Sequence, residues 1–325
     1  MHAAPARTVS FFEYATSDKG SRRTGAFLDR MQSLIPWVDI SQELTPALYD
    51  GRTGRPGFSV TVLVKALLLE AWFNLSDPEL EEQVLDRLSF QRFLGVAERQ
   101  DIPDETTVCR FRQKLVDIGA FEELFALVQA LITEEGVEVR PGTIVDATIV
   151  DAPKGRKRTD GSSTRDAEAG FTKKHGEWRH GYKAHAATDV SGRFIRQVAV
   201  TSASVHDADV FHDLTMHEER AIFADKAYIS EERKRSCRHR GVYWGVLDRA
   251  SRNHPLSRRQ ERRNRQKSSV RSHVEHPFAW MKRLMGYRKT RYRGLLKNAT
   301  HALLIATAYN LKRLDSVLRM EMANG

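Results

Sequence analysis

The chain has 325 residues, and 52 lysines and arginines against 42 acidic residues give it a net charge of +10 and a pI near 9.7. This length accommodates roughly two domains with a substantial core. The positive balance favours a polyanionic partner, although a basic protein without such a partner has the same composition. Cys109 and Cys237 are too few for a disulfide framework and lack metal-ligand spacing, so a reducing cytoplasm is the expected compartment.

Export and membrane insertion are not expected from the distribution of apolar residues. The first residues, MHAAPARTVSFFEYATSDKG, lack the continuous apolar core of a signal peptide. The most apolar later stretches carry Lys65, Glu70 or polar residues within a membrane-spanning length. We therefore expect a protein that works in the cytoplasm.

Residues 59–135 have helical periodicity and many strong helix formers. The run SVTVLVKALLLEAWFNL is followed by SDPELEEQVLDRL, in which Ser76 precedes Asp77 and Pro78 in the pattern of an N-cap with proline in the first turn. The later run DIPDETTVCRFRQKLVDIG predicts a helix that begins near Asp104.

The helix after Asp104 places three cations close together: Arg110, Arg112 and Lys114. These side chains could contact phosphates and, within a helix-turn-helix, read bases, although a solvated basic face has the same pattern. We interpret residues 1–136 as a helical N-terminal domain for DNA binding or assembly.

After Val137 the pattern changes to short strands. The five strand-like runs are TIVDATIV, GYKAHAATDV, RFIRQVAVTSA, AIFADKAY and VYWGVLDR. His206 and Asp207 mark a helix start between the third and fourth runs, and SEERKRSCRHR separates the fourth from the fifth. Three strands followed by helix, strand, helix, strand and helix is the order of a ribonuclease H-like fold. We predict such an α/β domain, with a mixed five-stranded sheet flanked by helices, for residues 137–325.

Two aspartates, Asp146 and Asp225, each interrupt a short apolar run. An acid in a buried strand is costly unless a positive charge neutralises it, and a divalent metal is a common reason to keep two such acids. Asp151 lies five positions after Asp146 and would face the opposite side of a continuing strand, so Asp146 is the preferred ligand. Taken singly, each aspartate also fits a strand end or a turn.

The run RSHVEHPFAWMK supplies a third carboxylate. On a helix of 100° per residue, Arg271, Glu275 and Lys282 fall within about 40° of one another. Glu275 would complete a site for two magnesium or manganese ions about 4 Å apart, whereas a salt-bridged solvated face is the alternative. Pro277 tempers this prediction, because a helix that begins near His276 would exclude Arg271 from the shared face.

Two further segments are candidates for contact with DNA. The basic insertion around residues 250–270 includes SRRQERRNRQK, a composition typical of solvated disorder that could also neutralise DNA phosphates. Its candidate contacts are Arg262, Arg263, Arg265 and Lys267. Residues 165–183, RDAEAGFTKKHGEWRHGYK, predict a charged loop over the DNA, with Lys183 either along the substrate groove or exposed on a strand.

The ordered motifs VDAT, HGYKAHAATD, TSASVHDAD, FADKAY and RSHVEHPFAWMK resemble the catalytic domain of Asp-Asp-Glu transposases from bacterial insertion sequences. The similarity is to the insertion sequence four and five superfamily. It extends over nearly the whole chain through GRPGFSVTVLVKALLLEAWFNLSDPELEE, FQRFLGV and IPDETTVCRFRQKL. Where the family signature has a tyrosine three positions before the arginine, this chain has Ser268.

The resemblance implies a metal-binding triad of Asp146, Asp225 and Glu275, with Arg271 and Lys282 as flanking basic residues. It implies an enzyme that binds the terminal inverted repeats of its element and catalyses magnesium-dependent strand cleavage and transfer, as a homodimer on double-stranded DNA in the bacterial nucleoid. Two alternatives stay open: a transposase-derived DNA-binding protein without catalysis, and a ribonuclease H-like nuclease.

Overall fold

The computed structural model describes residues 23–48, 57–96, 98–137, 139, 142–156, 163–174, 176–191, 194–215, 219–251 and 254–324. The first part of the described chain is helical, as predicted for residues 59–135. Its helices are α1 Arg23–Leu34, α2 Trp37–Leu48, α3 Val60–Phe73, α4 Asp77–Asp86, α5 Leu88–Leu94, α6 Glu105–Asp117 and α7 Ala120–Glu134. A 3₁₀ turn, Arg99–Asp101, precedes α6.

The starts of α4 and α6 confirm the two helix starts predicted from sequence. The backbone N–H of Ser76 donates to the carboxylate of Glu79 at 2.7 Å, and Pro78 lies in the first turn, where a missing N–H removes no helical hydrogen bond. Asp104 accepts from the backbone N–H of Thr107 at 2.6 Å and so caps α6.

The second part is built on a mixed sheet. Its strands are β1 Thr143–Asp151, β2 Gly170–Lys174, β3 Glu177–Asp189, β4 Ile195–Ser202, β5 Ala221–Ala224 and β6 Tyr243–Trp244. The order across the sheet is β2-β3-β1-β5-β6, with β4 also paired to β3. β3 is antiparallel to β1, whereas β5 is parallel to β1 and to β6. This is the α/β, ribonuclease H-like arrangement that the sequence predicts.

The sheet has six strands in the described chain, so the prediction of five was wrong by one. β2 pairs with the first residues of β3 to form a hairpin, where a loop was expected. The cause is cross-strand pairing: Phe171 lies opposite His180 with ring centroids 4.7 Å apart, and Gly176 turns the chain with a φ of 86°. The charged residues of β2 give no alternating apolar pattern by which sequence could reveal it.

Five more helices complete the second part. They are α8 Phe211–Leu214, α9 Glu231–His239, α10 Arg258–Arg271, α11 Glu275–Leu284 and α12 Leu295–Asn324. Three 3₁₀ turns accompany them: Asp207–Val210, Lys226–Tyr228 and Ser272–Val274.

The basic insertion is helical, which corrects the reading of solvated disorder. α10 begins at a capping box in which Ser257 accepts from the N–H of Gln260 and Gln260 accepts from the N–H of Ser257. Arginine, glutamine and glutamate are good helix formers, so the charged composition does not prevent a helix.

The long helix α12 packs against both parts of the chain. Trp72 of α3 donates its indole N–H to Ala308 O at 2.9 Å, and the side-chain amide of Asn310 pairs with the backbone N–H and C=O of Ile195 at the start of β4. One apolar core therefore runs from the helical layer across α12 to the sheet. None of the described helices combines the length and apolar character needed to cross a membrane.

Candidate active site

Asp146 lies near the middle of β1, one residue beyond the point where the pairing with β5 ends at Val145 and Ala224. One carboxylate oxygen accepts from the backbone N–H of Ala147 at 2.9 Å. Burial raises the pKa of Asp146, and the negative charge of Asp225 adds to this rise, whereas the positive charge of Arg271 opposes it. The site therefore favours any positive charge that approaches Asp146.

Asp225 is the first residue after β5, and it caps the turn Lys226–Tyr228. Its carboxylate accepts from the N–H of Lys226 at 2.7 Å. Because β5 runs parallel to β1 and ends beside Val145, the chain delivers Asp225 to the neighbourhood of Asp146. The two carboxylates are near enough for the charge of one to raise the pKa of the other.

Arg271 connects two of the three predicted ligands. Its Nη1 lies 3.2 Å from Asp146 Oδ2, and its Nη2 lies 3.9 Å from Glu275 Oε1. The side chain of Glu275 is 67% exposed, against 24% for Asp146. The guanidinium of Arg271 thus lies between the partly buried Asp146 and the exposed Glu275.

The helix that carries these residues is interrupted. α10 ends at Arg271, the turn Ser272–Val274 follows, and α11 begins at Glu275. Pro277 falls in the first turn of α11, where its missing N–H removes no helical hydrogen bond. The prediction of one continuous helix was wrong, yet Arg271 and Glu275 still meet across the junction.

Lys282 does not contact Glu275, which corrects the expectation that Glu275 sits between two cations. No ion pair within 4 Å joins them among the described residues; the side chain of Lys282 faces other cations instead. Burial lowers the pKa of Lys282, and Lys174, Arg179 and Arg288 lower it further.

Asp146, Asp225 and Glu275 fit a divalent ion in their chemistry, since magnesium and manganese prefer carboxylate oxygens. Burial raises the pKa of Asp146 despite the nearby charge of Arg271, so a further positive charge would stabilise its ionised form. Within the described ranges, however, no three histidine, cysteine, aspartate or glutamate side chains stand close enough to hold an ion. Asp146 and Glu275 instead contact Arg271, and the side chain of Glu275 is largely exposed.

Arg112 was predicted to contact DNA, and the structure gives it a different position. Its guanidinium is buried and lies 2.7 Å from Glu70 Oε2 and 2.5 Å from Asp77 Oδ1. The ring of Tyr292 stacks against it at 5.5 Å. Arg112 therefore stabilises the helical layer and does not reach a phosphate.

Lys183 and Lys267 are also engaged internally, contrary to the predicted DNA contacts. Lys183 Nζ donates to Val205 O at 2.6 Å and lies 2.8 Å from Asp207 Oδ1, which ties β3 to the turn at Asp207. Lys267 is buried and donates to Val246 O at 2.7 Å, which fixes α10 to the chain after β6.

Other predicted contact residues do lie at the surface. Arg110 is exposed on α6, and three arginines are exposed on α10: Arg262, Arg263 and Arg265. Arg263 lies 3.6 Å from Asp248 Oδ2. Their role in DNA binding stays a prediction.

Lys174 and Arg179 fall in the segment predicted as a charged loop over the DNA but were not singled out from the sequence, and they lie on the β2–β3 hairpin. Lys174 is near enough to Asp146 for its charge to lower the pKa of that acid. Asp151, the acid that was set aside as a ligand, pairs with Arg179. The available signal was the pattern of charged residues in FTKKHGEWR, but it indicates a shared face only once the pairing of β2 with β3 is known.

Two solved structures match most of this chain at low structural similarity. A piggyBac transposase synaptic complex with hairpin DNA has 11% identity and a TM-score of 0.44, and the match covers 92% of this chain and 75% of that one. The Mos1 strand transfer complex has 12% identity and a TM-score of 0.20, with 77% and 86% covered. Both TM-scores are below 0.5, so these two structures do not establish the family of this chain.

Two family models match the chain. Residues 16–114 match the family described as Transposase domain (DUF772), and residues 138–311 match the family described as Transposase DDE domain. The second match alone covers more than half of the chain and includes Asp146, Asp225 and Glu275. The chain therefore belongs to the DDE transposase family and is a DNA transposase.

Proposed function

We propose that this transposase binds the terminal inverted repeats of its own element and catalyses strand cleavage and strand transfer with Asp146, Asp225 and Glu275 as the ligands of two magnesium ions. Manganese would substitute. The main support is the contact of Arg271 with both Asp146 and Glu275, beside an Asp225 whose charge acts on Asp146. In this proposal, residues far apart in the sequence supply the three carboxylates of one metal site.

Each residue has a distinct part in the proposed site. Divalent ions would favour the attacking oxygen and neutralise charge on the leaving oxygen. Asp146, sheltered on β1, and Asp225, at the end of β5, supply ligand oxygens from the rigid sheet. Glu275, exposed at the start of α11, turns inward to complete the set. Arg271, once released from Asp146, neutralises charge on the scissile phosphate.

The proposed reaction has two steps at the same site. Water attacks the phosphorus at the element end, the bond to the 3′ oxygen breaks, and a 3′ hydroxyl is released. That hydroxyl then attacks a phosphodiester of the target DNA, and a target 3′ oxygen leaves. Neither step forms a bond to the protein. Because two ends are processed together, we expect a homodimer acting in the bacterial nucleoid.

The test compares cleavage and binding of duplexes that carry the DNA ends flanking this reading frame. We expect Asp225→Ala to abolish cleavage in magnesium while end binding is retained, because the carboxylate serves the chemistry and not the recognition. Asp213→Ala on α8 is the matched control, since Asp213 is exposed outside the site. Cleavage by Asp225→Ala at the wild-type rate would refute the assignment.

A second comparison separates the alternatives. Wild-type protein that binds the ends without cutting them would indicate a DNA-binding derivative. Equal cutting of duplexes with and without inverted repeats would indicate a ribonuclease H-like nuclease.

A further inference from the structure

The β2–β3 hairpin presents cations on one of its faces. Successive residues of a strand point to opposite faces, and Lys174 pairs with Glu177 while Thr172 pairs with Arg179. Lys174 and Arg179 therefore share one face. Lys173, which pairs with Trp178, lies on the other face, although both lysines are exposed.

Contacts fix this face next to the end of α11. Arg179 Nε donates to Asp151 Oδ1 at 2.8 Å. The backbone N–H of Asp151 donates to Arg288 O at 2.9 Å, and Arg288 Nε donates to Lys282 O at 3.2 Å. The hairpin, the end of β1 and the end of α11 are thereby held together.

The cations at this junction outnumber the acids. Lys174, Arg179 and Arg288 each act electrostatically on Lys282. The acids beside them are Asp151, which pairs with Arg179, and Glu177, which lies opposite Lys174 on the hairpin. In the described part of the chain, no ion pair within 4 Å engages Lys174. Like charges that converge without enough acids favour a bound anion.

The junction also lies close to the proposed catalytic acids. Asp151 ends β1, five residues after Asp146, and Lys282 lies seven residues after Glu275 on α11, which is about 10 Å along the helix axis. A DNA strand with a phosphate at Asp146 would pass this junction on its way across the hairpin.

We propose that Lys174, with Arg179 and Lys282, binds the phosphates that flank the scissile bond, and that Lys174 is a positioning residue for the DNA strand at Asp146. This inference rests on the proposed function, because it assumes that Asp146 acts on DNA. The hairpin then serves as a basic rim of the active site.

The test uses adjacent lysines on opposite faces. Binding of an element-end duplex is measured without divalent metal at several salt concentrations for wild type, Lys174→Ala and Lys173→Ala. Each lost phosphate contact lowers the slope of log affinity against log salt by about 0.9. We expect this loss for Lys174→Ala and an unchanged slope for Lys173→Ala. Equal slopes for the two variants would overturn the inference.

A second readout separates positioning from folding. Methylphosphonate substitution removes the charge of one phosphate at a time, and the phosphate that Lys174 contacts should matter for wild type but not for Lys174→Ala. Lys174→Arg should restore both the slope and the cleavage rate. If wild type cleaves and no phosphate depends on Lys174, the inference fails while the proposed function stands. If wild type does not cleave, the proposed function fails whatever the slopes are.

Discussion

Two arginines in this protein each lie between two carboxylates, yet their surroundings differ. Arg112 is 2.7 Å from Glu70 and 2.5 Å from Asp77, with side-chain exposures of 9%, 4% and 24%. Arg271 is 3.2 Å from Asp146 and 3.9 Å from Glu275, with exposures of 22%, 24% and 67%. We call the first set the closed cluster and the second, with Asp225, the open cluster.

The same combination of residues is buried in one place and accessible to solvent in the other. In the closed cluster, burial makes the pairing obligatory, because an unpaired charge there has no solvent to stabilise it. In the open cluster, the contacts are longer and Glu275 is exposed, and we therefore propose that a metal ion can take the place of the arginine. The closed and open clusters therefore differ in solvent exposure and not in the types of residue that they contain.

Replacement of Arg112 should have the largest effect on stability. Arg112→Met leaves Glu70 and Asp77 without their cation, and breaking a buried pair of this kind costs about 3–5 kcal/mol. Asp77 carries the negative charge at pH 7, because, against the effect of burial, hydrogen bonds from Arg112 and Glu70 lower its pKa, whereas burial raises the pKa of Glu70 to about 8. Urea denaturation at pH 7 measures the loss. A loss below about 1 kcal/mol, typical of a surface pair, would show that the cluster is not closed.

His301, next to the closed cluster, should make the stability of the protein depend on pH. It is buried between the rings of Tyr287 and Tyr292, and burial lowers its pKa to about 3. Below its usual pKa of about 6.5, the unfolded chain takes up a proton that the folded protein excludes, so stability is complete above that pH and falls towards pH 3.

The expected loss from His301 between pH 7 and pH 5 is about 2 kcal/mol in the free energy of unfolding. Urea denaturation at both pH values measures it, and His301→Phe should remove this part of the dependence. An identical dependence in His301→Phe and wild type would contradict the assignment.

Replacement of Arg271 should have the smallest effect on stability. Arg271→Met breaks contacts that are partly exposed, so we expect a change below about 1 kcal/mol in the free energy of unfolding. DNA cleavage should nevertheless be lost, because Arg271 faces the proposed substrate phosphate. A loss of stability as large as that of Arg112→Met would make the two clusters alike.

The two clusters also differ in how far sequence could predict them. Asp146 and Asp225 were predicted as ligands because each interrupts an apolar run, and the parallel pairing of β1 with β5 places them on neighbouring strands. Arg112 was misassigned because it was grouped with Arg110 as a basic surface. Its spacing from Val108 and Leu115 places it on the buried stripe of α6, which is the signal that was available.

Other misassignments had no signal in the local sequence. Lys267 lies in a helix with almost no apolar residues. Its buried position depends on a hydrogen bond to the carbonyl group of Val246, which lies 21 residues away in the segment after β6. The hairpin face with Lys174 depends on strand pairing that charged residues do not reveal. Such positions follow from tertiary contacts and not from periodicity.

The proposed catalytic function requires that Asp146, Asp225 and Glu275 act as one metal site. The decisive measurement is Mn²⁺ binding, followed by electron paramagnetic resonance, to full-length protein with an element-end duplex. We predict that Asp146→Asn, Asp225→Asn and Glu275→Gln each weaken Mn²⁺ binding at least about tenfold, a typical loss when a site is perturbed, while Asp213→Asn leaves it unchanged. Binding by all three variants with wild-type affinity would contradict the central claim.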